Sequence, residues 1–181
     1  MADLDAEHVV FVDECGTNLS MAPRDGRALR GQRVVGVVPR THVPNTTLIA
    51  AMGRAGIVTA MTLEGAMDRD AFDVFVIQGL VPTLRPGQTV IWGDLSVHKS
   101  ALAIAQIEAV GCHVVFLPPY SPDFAPIEQA FGKLKTYLRR AGARGRDALD
   151  AAMTAGLATI TAADARAWFA HCGYRQAGQP T

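Results

Sequence analysis

The 181-residue chain has few cysteines and no paired cysteine motif. Its three cysteines, Cys15, Cys112 and Cys172, are odd in number and lie far apart in the sequence. Without a CxxC pair, neither a zinc knuckle nor a disulfide framework is expected. This pattern of cysteine use favours a reducing, cytoplasmic setting.

The chain also lacks a long apolar run and an excess of charge. No stretch of about 18 apolar residues occurs, so no membrane span is expected, and the acidic N-terminus is unlike a signal peptide. Lys plus Arg and Asp plus Glu both total 17, which gives a formal net charge of zero. That balance argues against a simple basic DNA-coating protein, but it is compatible with charge separated by face. With 49% apolar residues, residues 1–181 are expected to form a single globular domain.

Short apolar runs rich in β-branched residues predict the strands. They lie at 8–14, 33–39, 46–53, 56–65, 88–94 and 112–117. Helical spacing of apolar residues predicts helices at 67–84, 100–111, 126–142, 146–160 and 161–173, with Asp68 and Thr161 as N-caps. Adjacent strands followed by alternating helices and strands indicate an α/β fold, with a mixed central sheet of about five strands and helices on both faces.

Three acids lie where these elements meet loops. Asp13 and Asp94 end predicted strands, and Glu128 begins a helix after the proline-rich segment 117–128. Proline fixes the backbone, and Tyr120 and Phe124 are expected to anchor that segment, so Glu128 would be held in a defined position. Any one of these acids has an ordinary explanation as a turn former or a helix-terminus acid. Together, three converging carboxylates favour Mg²⁺ or Mn²⁺, and two such ions roughly 3.5–4 Å apart serve phosphodiester chemistry.

Basic residues follow the last of these acids. The helix after Glu128 carries four of them, Lys133, Lys135, Arg139 and Arg140. We expect them to hold DNA phosphates, although a solvated helix face is the usual explanation for such a run. His98 and Lys99, shortly after Asp94, are further candidates for DNA contact.

The motifs FVDECG, DLSVHKS and LPPYSPDFAPIEQAFGKLK resemble the catalytic domain of DDE transposases of the Tc/mariner superfamily, most closely its bacterial insertion-sequence branch. The resemblance covers about residues 8–174. It implies an RNase H-like fold, two Mg²⁺ ions, and a transposase that cuts DNA at transposon ends and joins the freed 3′-hydroxyls to target DNA. It also implies a homodimer or larger synaptic complex.

The sequence departs from the family pattern at three points. Where the family has Asp-Asn, this chain has Gly93-Asp94, so Asp94 is either a displaced second ligand or a sign of an impaired site. Ala125 stands where relatives often carry Asn. The helix-turn-helix modules of relatives are not recognised here. Either the chain is the second reading frame of a split transposase and a partner chain supplies them, or it is a decayed fragment. Two alternatives therefore stay open: an RNase H-like nuclease without strand transfer, and an impaired fragment that binds DNA or a partner transposase.

Overall fold

The computed structural model describes residues 5–39, 45–118 and 121–174. It contains five strands: β1 (Val9–Thr17), β2 (Thr46–Gly53), β3 (Gly56–Glu64), β4 (Thr89–Trp92) and β5 (His113–Phe116). Its α-helices are α1 (Arg69–Val74), α2 (Ala101–Ala109), α3 (Pro126–Ala141), α4 (Arg146–Ala158) and α5 (Ala162–His171). Within the described ranges, no helix is long and apolar enough to cross a membrane.

The five strands form one mixed sheet in the order β3-β2-β1-β4-β5. The first three pair antiparallel, whereas β4 runs parallel to both β1 and β5. The antiparallel strands follow one another through short connections, and the parallel ones need crossovers, which the helical segment 69–83 and α2 supply. The predicted mixed α/β sheet is therefore confirmed.

Two hydrophobic layers cover the two faces of the sheet. Side chains that alternate along β1 divide between them: Phe11 packs toward α3, α4 and α5, and Val12 packs toward α1 and α2. Successive residues of a strand point to opposite faces. This alternation decides which face of the sheet Asp13 and Glu14, both within β1, can reach.

The helix ends largely follow the sequence signals. Asp68 caps α1 by accepting from the Ala71 N–H, and Thr161 forms a capping box with Asp164 at α5. Gly142 ends α3 in the left-handed region, with a φ of 59°. The predicted helix 67–84 is present, but its second part, Phe75–Leu80, is a π-helical turn followed by a short 3₁₀ turn.

The predicted strand at 33–39 is wrong. The segment is irregular and exposed, with 84% of Val35 and 91% of Val37 accessible to solvent. Its β-branched residues favour a strand only where a sheet edge is free to pair. The edge strands of this sheet are β3 and β5, and those valines pair with neither of them.

Candidate active site

A pocket of about 450 Å³ opens where β4 ends and its pairing with β1 stops. Asp13 lies within β1, which continues to Thr17, and not at the end of the strand as predicted. Its lining includes all three acids predicted from the sequence, Asp13, Asp94 and Glu128, together with Gly93 and His98. Parallel neighbouring strands bring their carboxyl ends to the same edge of the sheet, so residues far apart in the chain meet there. The pocket is therefore the candidate active site.

Asp13 lies on β1 in the register of Ala50 on β2, and its side chain is half-buried. The pKa of Asp13 is raised from 3.8 to about 7, mainly by burial and in addition by the neighbouring charges of Glu14 and Glu128. The Glu14 backbone N–H, which donates to Asp13 Oδ1 at 2.9 Å, and the nearby His98 act in the opposite direction. Asp13 thus lies in a site where added positive charge would be strongly favoured.

Glu128 lies in the first turn of α3 and is exposed toward the pocket. Pro126 begins the helix, a favoured position because its missing N–H would have no intrahelical partner. Glu128 is close enough for its charge to raise the pKa of Asp13, so the two carboxylates share one electrostatic environment. Phe124 does not anchor the preceding segment as predicted, because 49% of it is exposed. Tyr120 lies outside the described residues.

Asp94 lines the same pocket but is held by another partner. Its Oδ1 lies 2.8 Å from the Lys99 Nζ, and both side chains are largely exposed. Along β4, Trp92 packs with Val12 on the α1/α2 side, so continued alternation puts position 93, not 94, on the Asp13 face. A Cβ built at Gly93 would meet nothing closer than His98 Nδ1 at 3.9 Å. Among the residues that the structure describes, no three His, Cys, Asp or Glu side chains are grouped as a metal site.

His98 is buried, with 1% of its side chain exposed, rather than directed at solvent. Its Nδ1 lies 2.8 Å from the Gly93 carbonyl oxygen and its Nε2 lies 3.2 Å from Glu14 Oε2. Burial alone would lower the pKa of His98, but the hydrogen bonds to Glu14 and Gly93 outweigh it and leave the pKa raised. Glu14 was not predicted as a functional residue. The Asp13-Glu14 pair did indicate its placement, because adjacent residues of a strand point to opposite faces of the sheet.

The basic residues of α3 differ in whether their charged groups are bonded within the protein or face a groove. Lys133 is tied within the protein, since its Nζ lies 2.7 Å from Asp164 Oδ2 and donates to the Thr159 carbonyl at 2.8 Å. Lys135 and Arg139 instead line a groove of about 490 Å³ between α3 and the loop after β1, where Arg24 joins them. None of these three groove residues forms an ion pair with a carboxylate in the described part of the chain. Arg140 is exposed at the end of the helix.

The groove beside α3 is bounded by a loop that Arg144 holds in place. The Arg144 Nη1 donates to the carbonyl oxygens of Leu19 and Met21, at 3.1 and 3.0 Å, and to that of Ala143 at 3.0 Å. This nitrogen carries two N–H groups, which is enough to bridge the carbonyl oxygens of Leu19 and Met21. The wall of the groove is therefore attached to the turn between α3 and α4.

Several solved structures share this fold at low sequence identity. The Mos1 transposase paired-end complex with left transposon end matches with a TM-score of 0.78 and 15% identity, over 93% of this chain and 53% of that one. The Mos1 mariner paired end complex with Mn gives 0.73 and 15%, with the same coverage. The catalytic domain of Mos1 mariner transposase gives 0.66 and 12%, over 93% and 78%. The RNase H-like fold is thereby confirmed, and the chain spans about half the length of the first two.

Sequence comparison assigns the family. No curated protein sequence matches the chain. A family profile described as DDE superfamily endonuclease, however, matches residues 8–150, which include all five strands and the pocket acids Asp13, Asp94 and Glu128. The bacterial insertion-sequence branch stays a prediction within this broader assignment. The chain belongs to the DDE superfamily endonuclease family.

Proposed function

We propose that this chain is the catalytic domain of a transposase that cleaves DNA phosphodiester bonds with divalent metal ions and joins the freed 3′-hydroxyl ends to target DNA. The observation that carries the proposal is the convergence of Asp13 and Glu128 on one pocket. Membership of the DDE endonuclease family and the fold shared with Mos1 transposase support it.

The two carboxylates suit a hard divalent cation. Mg²⁺ and Mn²⁺ prefer oxygen ligands, and Mg²⁺ is commonly held by one or two carboxylates together with waters and substrate phosphates. Asp13 and Glu128 would supply such a pair. The pKa of Asp13 is raised mainly by burial and further by the charges of Glu14 and Glu128, and a perturbed carboxyl in a pocket is typical of functional sites. When bound, such an ion polarises phosphoryl oxygens and activates a hydroxyl nucleophile.

The protein's own part is to hold these oxygens in place. The Glu14 N–H orients Asp13 Oδ1, and the fixed start of α3 positions Glu128. Because burial raises the pKa of Asp13 to about 7, a proton competes with a metal ion for this carboxylate near neutral pH. Metal binding should therefore strengthen as the pH rises through 7.

A second ion needs a further donor, and Asp94 is the candidate that the chain offers. It lines the pocket, but it would have to leave its ion pair with Lys99. Exposed ion pairs contribute at most about 1 kcal/mol, so a bound DNA phosphate that attracts Lys99 is sufficient to release it. Asp94 is thus proposed as the displaced second ligand of a two-ion site.

The DNA phosphates are proposed to follow the groove that contains Arg24, Lys135 and Arg139. These cations form no ion pair with a described carboxylate, so binding DNA breaks no intramolecular bridge. Lys99 and Arg140 would extend the basic surface. Lys133 and His98 are less suited to DNA contact, because their polar atoms are already hydrogen-bonded within the protein.

We further propose that the active assembly is a homodimer or larger synaptic complex on transposon ends, with a partner chain or segment supplying helix-turn-helix recognition. The solved Mos1 paired-end and strand transfer complexes support this arrangement by analogy of fold.

The test is a Mn²⁺-dependent assay with supercoiled plasmid and a short duplex that carries free 3′-hydroxyl ends. The proposal predicts nicked plasmid together with joined product, and both should disappear in Asp13→Asn and Glu128→Gln. Nicking without joining would identify a nuclease. Retention of DNA without either product would identify the impaired DNA-binding fragment.

The impaired fragment is the second candidate function, and a specific observation favours it. Gly93 has no side chain, and Asp94 is paired with Lys99, so among the described residues that line the pocket only the carboxylates of Asp13 and Glu128 form no ion pair. Isothermal titration of wild type and Asp94→Ala with Mn²⁺ separates the candidates. Unchanged affinity would remove Asp94 from the ligand set and favour impairment.

A further inference from the structure

The two strands that carry the pocket separate from each other at its floor. Backbone pairing between β1 and β4 ends at Val12 and Trp92. Beyond this point β1 stays paired with β2 as far as Thr17, while the chain after Trp92 leaves the sheet. The strands therefore form a fork, with Asp13 on one arm and residues 93 and 94 on the other.

His98 spans this fork. Its Nε2 lies 3.2 Å from Glu14 Oε2 on the β1 arm, and its Nδ1 lies 2.8 Å from the Gly93 carbonyl oxygen on the other arm. The ring is buried against Phe72, with the ring centroids 4.8 Å apart. Both partners of the ring are hydrogen-bond acceptors, so a ring that carries a hydrogen on each nitrogen satisfies both.

We propose that His98 is a positioning residue that fixes the width of the fork and thereby the distance between Asp13 and the segment that carries Gly93 and Asp94. The inference rests on the proposed metal-dependent function, but the contacts that carry it lie on the opposite face of β1 from Asp13. His98 bridges Glu14 and the Gly93 carbonyl, and Glu14, its partner on β1, follows Asp13 directly. The spacing of the metal-binding oxygens thus depends on a hydrogen-bonded pair outside the ligand set.

Substituting His98 by an amide side chain tests its hydrogen bonds to Gly93 and to Glu14 separately. In His98→Asn the amide nitrogen takes the place of Nδ1 and keeps the bond to Gly93, whereas in His98→Gln it takes the place of Nε2 and keeps the bond to Glu14. His98→Ala removes both bonds. His113→Ala is the control, because His113 is exposed at the start of β5.

The readout is Mn²⁺ affinity, measured by titration on samples whose folding is checked by thermal unfolding. Loss of a group that orients a metal ligand costs about 10–100-fold in affinity. We expect that loss for His98→Ala, a smaller loss for each amide variant, and none for His113→Ala. If His98→Ala proves too unstable to assay, the two amide variants and Glu14→Ala provide the same comparison.

A double-mutant cycle on Glu14→Ala and His98→Ala tests whether the two residues act as a unit. The account predicts strongly non-additive losses, because either substitution alone breaks the bridge. Wild-type affinity in His98→Ala, or additive losses in the cycle, would overturn the positioning role while the metal site itself stands. Failure of the wild type to bind Mn²⁺ would instead overturn the proposed function.

Discussion

Replacing Asp13 with Asn should stabilise the metal-free protein at alkaline pH. The pKa of Asp13 rises from 3.8 to about 7 in the folded state, mainly through burial. The folded protein therefore binds this proton more tightly than the unfolded chain does, so the stabilisation is complete below the unfolded pKa and is lost as the pH rises from about 4 to about 7. Above that range, the folded protein bears an unfavourable charge that asparagine lacks.

The size of the effect follows from the shift. Three pKa units correspond to about 4 kcal/mol, and because the Asp13 side chain is only half-buried we expect about half of that, roughly 2 kcal/mol. For a chain of this size, 2 kcal/mol raises the melting temperature by roughly 4–8 °C. The Asn carbonyl oxygen can still accept the Glu14 N–H, so the local hydrogen bond is kept.

The difference in stability is measured by thermal unfolding of the wild type and Asp13→Asn without metal, at pH 4 and at pH 8. The variant should be the more stable at pH 8, and the difference should nearly vanish at pH 4. Asp25→Asn, on the exposed loop after β1, is the control and should change neither value. Saturating Mn²⁺ should reverse the order at pH 8, because only the wild type gains ligand-linked stability. Equal melting temperatures at pH 8 without metal would refute the electrostatic reasoning.

Three further predictions concern position 93, where glycine provides no side chain, and the basic residues of α3. Gly93→Asp should raise Mn²⁺ affinity roughly 30-fold, because a carboxylate about 4 Å from a divalent ion contributes about 2 kcal/mol even in water; a titration with no gain would contradict the placement of position 93 on the Asp13 face. Lys135→Ala and Arg139→Ala should each weaken binding to duplex DNA and reduce the slope of log K against log salt by about 1, and an unchanged slope would exclude a phosphate contact. Lys133→Ala should lower the melting temperature while leaving that slope unchanged, because Lys133 is bonded to Asp164.

Much of the fold was predictable because its signals are local. Apolar β-branched runs marked the five strands, and Asp68, Thr161 and Gly142 marked helix ends through their own hydrogen bonds or backbone geometry. The segment at 33–39 was misread because pairing with a sheet edge is decided by tertiary structure, which no window of sequence contains.

The candidate site was predictable only in part. The acids could be expected at one edge of the sheet because parallel strands end together, and the pocket gathers Asp13, Asp94 and Glu128. The opposite faces of Asp13 and Glu14 could be read from the sequence, but the pairing of Asp94 with Lys99 and of Glu14 with His98 could not, because the path of the chain after β4 sets the directions of Lys99 and His98. The burial of His98 was missed for the same reason. A histidine that follows a strand reads as exposed until the neighbouring helix is in place.

The most direct test of the central claim is a crystal structure of the protein soaked with Mn²⁺, with anomalous differences recorded to locate the ion. The account predicts an anomalous peak that oxygens of Asp13 and Glu128 both coordinate, and loss of that peak in Asp13→Asn. An ion bound elsewhere, or held by only one of these two carboxylates while the other points away, would contradict it.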